Sequence, residues 1–443
     1  MKNFHNLINK ALQLHEEGKI QDAISLYSKV LRNQKNDPQL LFMLGTAYVQ
    51  IGKIELGVEH LKKSIFLKPD NAFAQSNLGN ALKDLKRYDD ALASYDQAIK
   101  INPNYADIHN NRGSVLKNLK RYNEAIESYD KAIKIKSDHD YAHNNKGNAL
   151  KDLKRYDEAL ESYDKAIQIN SNYADAYNNK GNALKELNRY EEALVSYDKA
   201  IQIKTNHVDA YNNRGIVLQN LNRYEEALAS YDQAININSN YTFAHSNRGN
   251  VLKYLNRYEE ALVSYDKAIK INPYFVDTYN NKGNALKDLK RFDEALANYK
   301  NVHKLKSDFD YILGKILHTS MTLCNWSDFE SLTEKISNAL NKKIRVIDPF
   351  FFLGLIDNPA FSKLTSEIFV EDKIPKRSEN KPLAKYNNHK KPRIGYFSAD
   401  FYDHAVLHLM MDVFKNHNKS LFDFYGFSFG LDKNDKWRNE VKN

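Results

Sequence analysis

The chain has 443 residues, of which 42% are hydrophobic, 16 are glycine and 9 are proline, and its formal net charge is +9. This length and hydrophobic content suffice for more than one domain, and the scarcity of glycine and proline favours long helices over disorder. A single cysteine, Cys324, excludes disulfides within the chain and thiolate metal clusters, and it fits a reducing compartment.

Both signs of charge alternate along the chain, as in KDLKRYDEALESYDKAIK. Interspersed charges are typical of solvated helix faces, so we expect no nucleic-acid partner. The N-terminal stretch MKNFHNLINKALQLHEEGK lacks an apolar signal core, and no run approaches the ~20 apolar residues of a membrane span. We therefore expect a soluble, cytoplasmic protein that does not bind a membrane.

An internal period dominates most of the chain. Glycines recur at an interval of 34 residues (79 − 45 = 34), at Gly45, Gly79, Gly113, Gly147, Gly181, Gly215, Gly249 and Gly283. An alanine follows 12 residues after the glycine and an aromatic residue four residues later, as in Gly181, Ala193 (193 − 181 = 12) and Tyr197. The spacing predicts two antiparallel helices per repeat, with small residues where the helices approach and a tyrosine that fills the gap to the next pair. Because one pair cannot bury both of its faces, the pairs must stack into a solenoid.

Glycine, alanine, aromatic and alanine at these offsets resemble the tetratricopeptide repeat. The resemblance implies a mainly α fold with a right-handed solenoid over residues 1–308. Within it we expect seven near-identical helix pairs over 72–308, preceded by degenerate helices. A capping helix pair is predicted at 309–341, where Ser327 and Glu330 have the spacing of a capping box.

Paired asparagines lie in the first helix of most repeats, although asparagine is a poor helix former. The asparagines two residues before the glycine (79 − 77 = 2) are Asn77, Asn111, Asn145, Asn179, Asn213, Asn247 and Asn281. We call these seven the ladder asparagines. Stacking places the first helices on the inner, concave wall, where a row of amides can both donate to and accept from the backbone of an extended protein or peptide.

The alternative is that repeat duplication and codon bias copied a harmless surface asparagine. The phase of the ladder asparagines favours a binding role for them. For their neighbours Asn110, Asn144 and Asn178 we retain the simpler interpretation of copied surface residues.

The pattern changes after residue 341. Residues 342–391 are interpreted as a connecting segment and a polar, basic linker. From residue 392 onwards, RIGYFSA and FDFYGFSF predict two strands, and AVLHLMMDVFKNH between them predicts a helix. One βαβ unit is the start of a Rossmann-like parallel sheet, so we expect 392–443 to be a partial lobe and the chain to be a fragment of a longer protein.

The loop SADFYDHAVLHLM follows the first predicted strand, at the sheet edge where ligands bind in such folds. It carries Asp400, Asp403, His404 and His408. The two histidines have the i, i+4 spacing of metal ligands on a helix, but no third ligand accompanies them, so we predict no metal site. His408 falls among apolar residues, as a packed helix histidine would. His404, at the junction of loop and helix, is the candidate active-site group.

The order of these segments resembles a known family. A tetratricopeptide solenoid followed by CNWSDF, DPFFFLGLIDNPAF and RIGYFSADFYDHAVLHLM is similar to the SPINDLY-like protein O-GlcNAc transferases. The resemblance implies a glycosyltransferase with two Rossmann-like lobes and no cofactor. Such an enzyme moves a sugar from a nucleotide-sugar donor, UDP-GlcNAc, to serine or threonine of a protein held in the solenoid. It also implies that His404 is catalytic and that the ladder asparagines bind substrate.

Two further points concern the function that this resemblance implies. The lobe that would bind the nucleotide sugar is not in this chain, so we expect the chain alone to be inactive. A non-catalytic, peptide-binding scaffold is the alternative, because a solenoid alone suffices for binding. The βαβ segment favours the enzyme, since a scaffold has no need of a Rossmann-like half.

Overall fold

The structure is a computed structural model, which describes residues 2–33, 36–353, 355, 358–373, 393–398, 420–421 and 423–428. The chain divides into two compact units, of which the first ends at Thr365 and the second begins at Ser366. In the described residues, no helix is both long and apolar enough to cross a membrane.

The first unit is built from helix pairs joined by short turns. Before the regular repeats come α1 (Lys2–Glu16) with α2 (Ile20–Leu31) and α3 (Pro38–Gln50) with α4 (Ile54–Leu67). The regular pairs are α5 (Ala72–Asp84) with α6 (Tyr88–Ile101), α7 (Ala106–Asn118) with α8 (Tyr122–Ile135), α9 (Asp140–Asp152) with α10 (Tyr156–Ile169), α11 (Ala174–Glu186) with α12 (Tyr190–Ile203), α13 (Val208–Asn220) with α14 (Tyr224–Ile237), α15 (Thr242–Tyr254) with α16 (Tyr258–Ile271), and α17 (Val276–Asp288) with α18 (Phe292–Leu305). A last pair is α19 (Ile312–Thr322) with α20 (Phe329–Asn341). The prediction of seven stacked helix pairs over 72–308 is confirmed.

Further elements follow the last pair. Helices α21 (Pro349–Leu353) and α22 (Pro359–Lys373) lie in the stretch interpreted from sequence as a connecting segment. The second unit contains strands β1 (Arg393–Ser398) and β2 (Asp423–Ser428), which pair in parallel with Arg393 opposite Asp423. Parallel neighbours require a crossover connection. The helix predicted for that crossover lies outside the described residues, so the Rossmann-like lobe stays a prediction.

The glycine of each regular repeat packs against the tyrosine of the same repeat. A Cβ atom added to Gly181 would lie 2.6 Å from Cε1 of Tyr197, whose ring is completely buried. The phenol of Tyr197 donates a hydrogen bond of 2.9 Å to Oδ1 of Asn182, beside the glycine. Burial, with a smaller contribution from Glu186, raises the pKa of Tyr197, which keeps the phenol protonated as a donor. The tyrosine ring thus fills the space over the glycine of its own pair, a contact that we had not predicted.

The turn between the two helices of a pair needs one residue in the left-handed conformation. Gly52 takes this place in an early pair with φ of 77°, whereas Asn188 (φ 58°) and Lys154 (φ 61°) take it in regular repeats. The turn is closed by the backbone N–H of Arg189, which donates to the carbonyl of Leu184 at 2.9 Å. Asparagine tolerates this conformation better than most other side chains do, which explains its presence in the LNRY turns.

A cation immediately before the glycine joins neighbouring repeats. Arg214 donates from Nε to Asp198 of the preceding repeat at 2.6 Å and from Nη1 to Ser230 of its own repeat at 2.6 Å. Lys180 makes the equivalent contact with Asp164 at 2.6 Å. The carboxylates are half exposed, so each pair contributes at most about 1 kcal/mol, and its main effect is on the register between repeats.

The capping box predicted for the last helix is wrong. Helix α20 begins at Phe329 after Asp328, which makes no side-chain capping bond. Asn325 instead accepts hydrogen bonds from both the backbone N–H and the hydroxyl of Ser327, at 3.1 and 2.8 Å. This local turn holds Ser327 one residue outside the capping position.

We expect that Gly181→Leu lowers the free energy of unfolding by about 1–3 kcal/mol, because the new side chain must displace the buried ring of Tyr197. Urea or thermal denaturation followed by circular dichroism measures the change. Val195→Ala is the control in the same repeat, since Val195 is 71% exposed and its truncation should cost little. An unchanged midpoint for Gly181→Leu would contradict the close contact.

Candidate functional site

The first helices of successive repeats lie closer together than the second helices do. Helix α7 contacts α9, α9 contacts α11, and this continues along the series. Second helices make no contact of comparable extent with one another in the described part of the chain. A stack whose elements converge on one side curves towards that side. The first helices therefore form the inner wall of the first unit.

The ladder asparagines lie on this wall, and each is half-buried. Four of them donate a hydrogen bond from Nδ2 to the asparagine 35 residues earlier, in the preceding repeat. These bonds are Asn145 to Asn110 (3.0 Å), Asn179 to Asn144 (3.0 Å), Asn213 to Asn178 (3.1 Å) and Asn247 to Asn212 (3.0 Å). The amides therefore link one repeat to the next.

The acceptors of these bonds are the first asparagines of each pair, and they are buried. Asn144 is only 4% exposed and Asn212 only 5%. A buried amide oxygen without a partner costs about 1–3 kcal/mol, so the second asparagine of the following repeat satisfies a real requirement. The interpretation of Asn110, Asn144 and Asn178 as copied surface residues is therefore wrong. The sequence did contain a sign of this pairing, because both asparagines, and not only the ladder asparagine, recur from repeat to repeat.

Where the preceding repeat lacks the buried asparagine, the ladder amide finds another partner. Ser76 occupies the acceptor position 35 residues before Asn111 (111 − 76 = 35), and Asn111 donates instead to Asn80 of the same preceding repeat at 3.2 Å. Asn77 donates to Thr46 at 3.0 Å. Asn281 follows Ser246, and no hydrogen bond from its amide nitrogen to another repeat is found in the described chain. The ladder amide thus reaches the preceding repeat in six of the seven cases, and it bonds a buried asparagine wherever that repeat provides one.

The carbonyl oxygens of the ladder remain as acceptors. Among the described residues, no hydrogen bond reaches Oδ1 of Asn145, Asn179, Asn213 or Asn247. Since the amide nitrogen of each of these residues donates a hydrogen bond to the preceding repeat, that bond holds the side chain in one orientation. The inner wall therefore carries pre-oriented acceptors in four successive repeats, which suit the N–H groups of an extended backbone.

A lysine occupies the ladder position in the last pair. Lys315 stands 34 residues after Asn281 (315 − 281 = 34). Its Nζ donates to Oδ1 of Asn280 at 2.6 Å and to Oδ1 of Asn284 at 3.2 Å. Desolvation, together with the like charges of Lys287 and Lys253, lowers the pKa of Lys315 to about 8. Sequence analysis missed this residue because the glycine that marks the other repeats is replaced by leucine here.

The predicted catalytic residue lies outside the described residues. This holds for His404 and also for Asp400, Asp403 and His408, which follow the end of β1 at Ser398. The role of His404 therefore stays a prediction. In the described part of the chain, no group of three or more His, Cys, Asp or Glu side chains is arranged to hold a metal ion.

Comparison with protein families matches both regions of the chain. Tetratricopeptide repeat models match residues 38–71, 106–139, 208–241, 243–275 and 276–309, and the TPR repeat model matches 79–120, 147–188 and 181–222. Glycosyl transferase family 41 matches residues 368–443. The chain belongs to the tetratricopeptide-repeat proteins and carries a family 41 glycosyltransferase segment. The resemblance to O-GlcNAc transferases that was inferred from sequence is confirmed at this level.

One curated relative has a transferase activity in its name. The probable UDP-N-acetylglucosamine–peptide N-acetylglucosaminyltransferase SEC of Arabidopsis thaliana is 27% identical over 142 residues, which are 29% of this chain and 14% of that protein. The match thus spans a small part of the relative.

Several solved structures are similar to parts of the chain. MamA is 30% identical with a TM-score of 0.35, over 37% of this chain and 96% of that one. YrrB, described as a TPR protein with an unusual peptide-binding site, is 26% identical with a TM-score of 0.35, over 42% and 96%. A repeat protein from Parabacteroides merdae is 17% identical with a TM-score of 0.48, over 57% and 100%.

We expect two triple variants to destabilise this tetratricopeptide-repeat solenoid to a similar degree. The first variant combines Asn179→Ala, Asn213→Ala and Asn247→Ala. The second combines Asn144→Ala, Asn178→Ala and Asn212→Ala. Both remove the same three inter-repeat hydrogen bonds; the first leaves a buried oxygen unpaired at each and the second truncates a buried side chain, so each site should cost about 1–3 kcal/mol of the free energy of unfolding. Urea denaturation measures the loss, and unchanged midpoints in both variants would mean that the bonds add nothing.

Lys315 gives the stability of the solenoid a defined pH dependence. Because burial lowers the pKa of Lys315 in the folded state to about 8, from an ordinary value of 10.5, the unfolded chain binds a proton in this window that the folded chain does not. The free energy of unfolding should therefore rise with pH between about 8 and 10.5, relative to Lys315→Asn. The asparagine restores the residue found in the regular repeats. Denaturation midpoints of both proteins across this window provide the measurement, and parallel curves would contradict the burial of the ammonium.

Proposed function

We propose that this chain docks an extended polypeptide on the inner wall of its solenoid for modification by a family 41 glycosyltransferase domain. In the complete protein, a sugar is transferred from UDP-GlcNAc to a serine or threonine of the docked polypeptide. The observation that carries the docking proposal is the row of ladder oxygens, held in orientation by bonds between repeats and without partners of their own.

Backbone recognition follows from the chemistry of the ladder. Each carbonyl oxygen accepts from a peptide N–H, a group that every residue except proline provides. The repeated arrangement then holds a polypeptide at several points without requiring a particular side-chain sequence. Such a surface suits an enzyme that modifies many different proteins.

The transfer step is supported by the family 41 match over 368–443 and by the name of the Arabidopsis relative. His404 follows the end of β1, where donor phosphate and acceptor hydroxyl would meet in a Rossmann-like sheet. We propose that its imidazole acts there as a general base or hydrogen-bonds the substrates. A peptide-binding scaffold without activity would use the same inner wall, and the family 41 segment favours the enzyme over it.

The two asparagine variants test the docking proposal because they separate binding from stability. Both remove the same inter-repeat bonds, but only the variant at Asn179, Asn213 and Asn247 removes the accessible oxygens. We expect that variant to lose binding to synthetic extended peptides by about tenfold or more, measured by fluorescence anisotropy. The variant at the buried asparagines keeps the oxygens and loses only their fixed orientation, so it should lose clearly less binding. Equal loss in both would assign the effect to the solenoid and overturn the ladder as a contact surface.

The catalytic proposal is tested in a protein that carries the complete family 41 domain. We expect His404→Ala to reduce transfer of radiolabelled GlcNAc from UDP-GlcNAc to acceptor peptide by about 10²–10⁴-fold if the imidazole is a general base. Peptide binding, measured on the same variant, should persist because the solenoid is unchanged. Transfer at the wild-type rate would remove His404 from the mechanism, and absence of transfer in the unmodified protein would favour the scaffold.

A further inference from the structure

The inner wall ends in a basic cluster that the ladder itself does not explain. At the position of the ladder asparagine, Lys315 reaches back to Asn280 and Asn284 of the preceding repeat and lies 5.6 Å from the centre of the Tyr299 ring. Its Nζ thus takes over the inter-repeat contact that Nδ2 of asparagine makes elsewhere. The substitution keeps this link and adds a positive charge.

No counter-charge accompanies this cation within the described residues. The half-buried ammonium of Lys315 has no carboxylate within salt-bridge distance there, and the charges that act on it most are those of Lys287 and Lys253. The other groups around it are the amides of Asn280 and Asn284 and the phenol of Tyr299. His318, on the same helix, also experiences the charge of Lys287.

A buried cation surrounded by like charges is unfavourable unless an anion joins it. An ammonium has three N–H groups, and the two asparagine oxygens use two of them. One donor therefore remains for a ligand. Lys287 is exposed and lies one helical turn after Asn284, and Lys253 is half-buried at the equivalent position of the preceding repeat with its Nζ over the ring of Tyr254.

We propose that Lys315, Lys253 and Lys287 form an anion site that receives an aspartate or glutamate side chain of the docked polypeptide. The site lies at the end of the ladder, beside Asn280 and Asn281, so a polypeptide held by the ladder oxygens passes it. The ladder supplies contact with any backbone, and the lysines select polypeptides with an acidic residue at this point. The inference rests on the proposed docking function and specifies its substrate class.

Matched replacements for the three lysines are present in the chain itself. Lys315→Asn restores the ladder residue and retains a donor for Asn280, as Asn145 does for Asn110. The equivalent of Lys253 and Lys287 in the repeat of α13 is Gln219 (253 − 219 = 34), so Lys253→Gln and Lys287→Gln reproduce a native side chain. These variants remove charge without opening a cavity.

The experiment compares two sets of synthetic extended peptides on the full chain. One set carries a single glutamate scanned along a neutral serine- and threonine-containing backbone, and the other carries glutamine at the same positions. We expect glutamate to increase affinity by about tenfold over glutamine in one register. Lys315→Asn should abolish this gain and Lys253→Gln with Lys287→Gln should reduce it, while the glutamine peptides bind all variants alike. The gain should also decline above about pH 8, as Lys315 loses its proton.

Each result decides between the two proposals. If neutral peptides bind but glutamate gives no gain, or if the gain survives in Lys315→Asn, the anion site is overturned and docking by the ladder stands. If inorganic phosphate binds the cluster without affecting peptide affinity, the cluster is a site for small anions and the acidic-peptide proposal fails. If no peptide of either set binds, the docking function fails and this inference fails with it.

Discussion

The contact between one glycine and one tyrosine ring sets the geometry on which the rest of the solenoid depends. In each regular repeat the ring occupies the space where a side chain at the glycine would lie, and this draws the two helices of a pair together. The hydroxyl of the same tyrosine then bonds an asparagine next to the glycine in most repeats, as from Tyr163 to Asn148 at 2.9 Å. This second contact fixes the rotation of the first helix about its axis. Because the rotation is fixed, the residue two positions before the glycine meets the preceding repeat in four successive repeats, and it bonds there to the residue three positions before that repeat's glycine.

The paired asparagines follow from that orientation. The first of the two is buried between repeats, where its oxygen requires a donor, and the second of the next repeat supplies one. Each bond stabilises an interface between neighbours, which is the term that governs the stability of a linear array of repeats. The same bond leaves the oxygen of the donor amide without a hydrogen-bond partner among the described residues. The structural role of the amide nitrogen and the proposed binding role of the oxygen thus belong to the two ends of one amide group, which would explain why a poor helix former is present in repeat after repeat.

The helix pairs and their stacking are predictable from the sequence, because the 34-residue interval and the small residues mark the contacts between the two helices of one repeat. The bond from Asn179 to Asn144 is less accessible to such reasoning, since it joins residues of different repeats and depends on how the pairs stack. The capping box predicted at Ser327 failed for a related reason. The side chain of Asn325 accepts the hydrogen bonds of the Ser327 hydroxyl and backbone N–H, and residue spacing alone does not show which of two such local bonds will form. Lys315 was missed because the repeat pattern loses its glycine in the last pair. The strands of the second unit, Arg393–Ser398 and Asp423–Ser428, lie where a short apolar run and aromatic content indicated them, and His404 stays a prediction.

The net charge of +9 is distributed between cations that are paired with carboxylates and a few that are not. Cations before the glycine are paired with aspartates of the preceding repeat, as Arg248 is with Asp232 at 2.6 Å, and arginines of the turns are paired with glutamates three residues on, as Arg257 is with Glu260. Those pairs neutralise each other where repeats and helices meet. Lys315 differs because its nearest polar partners are neutral amides and its influential charged neighbours are lysines. The positive charge of Lys315 lowers the free energy of unfolding, because it is partly desolvated and lies near other lysines. The proposed acidic ligand would remove part of this destabilisation when it binds, and that gain would add to its affinity.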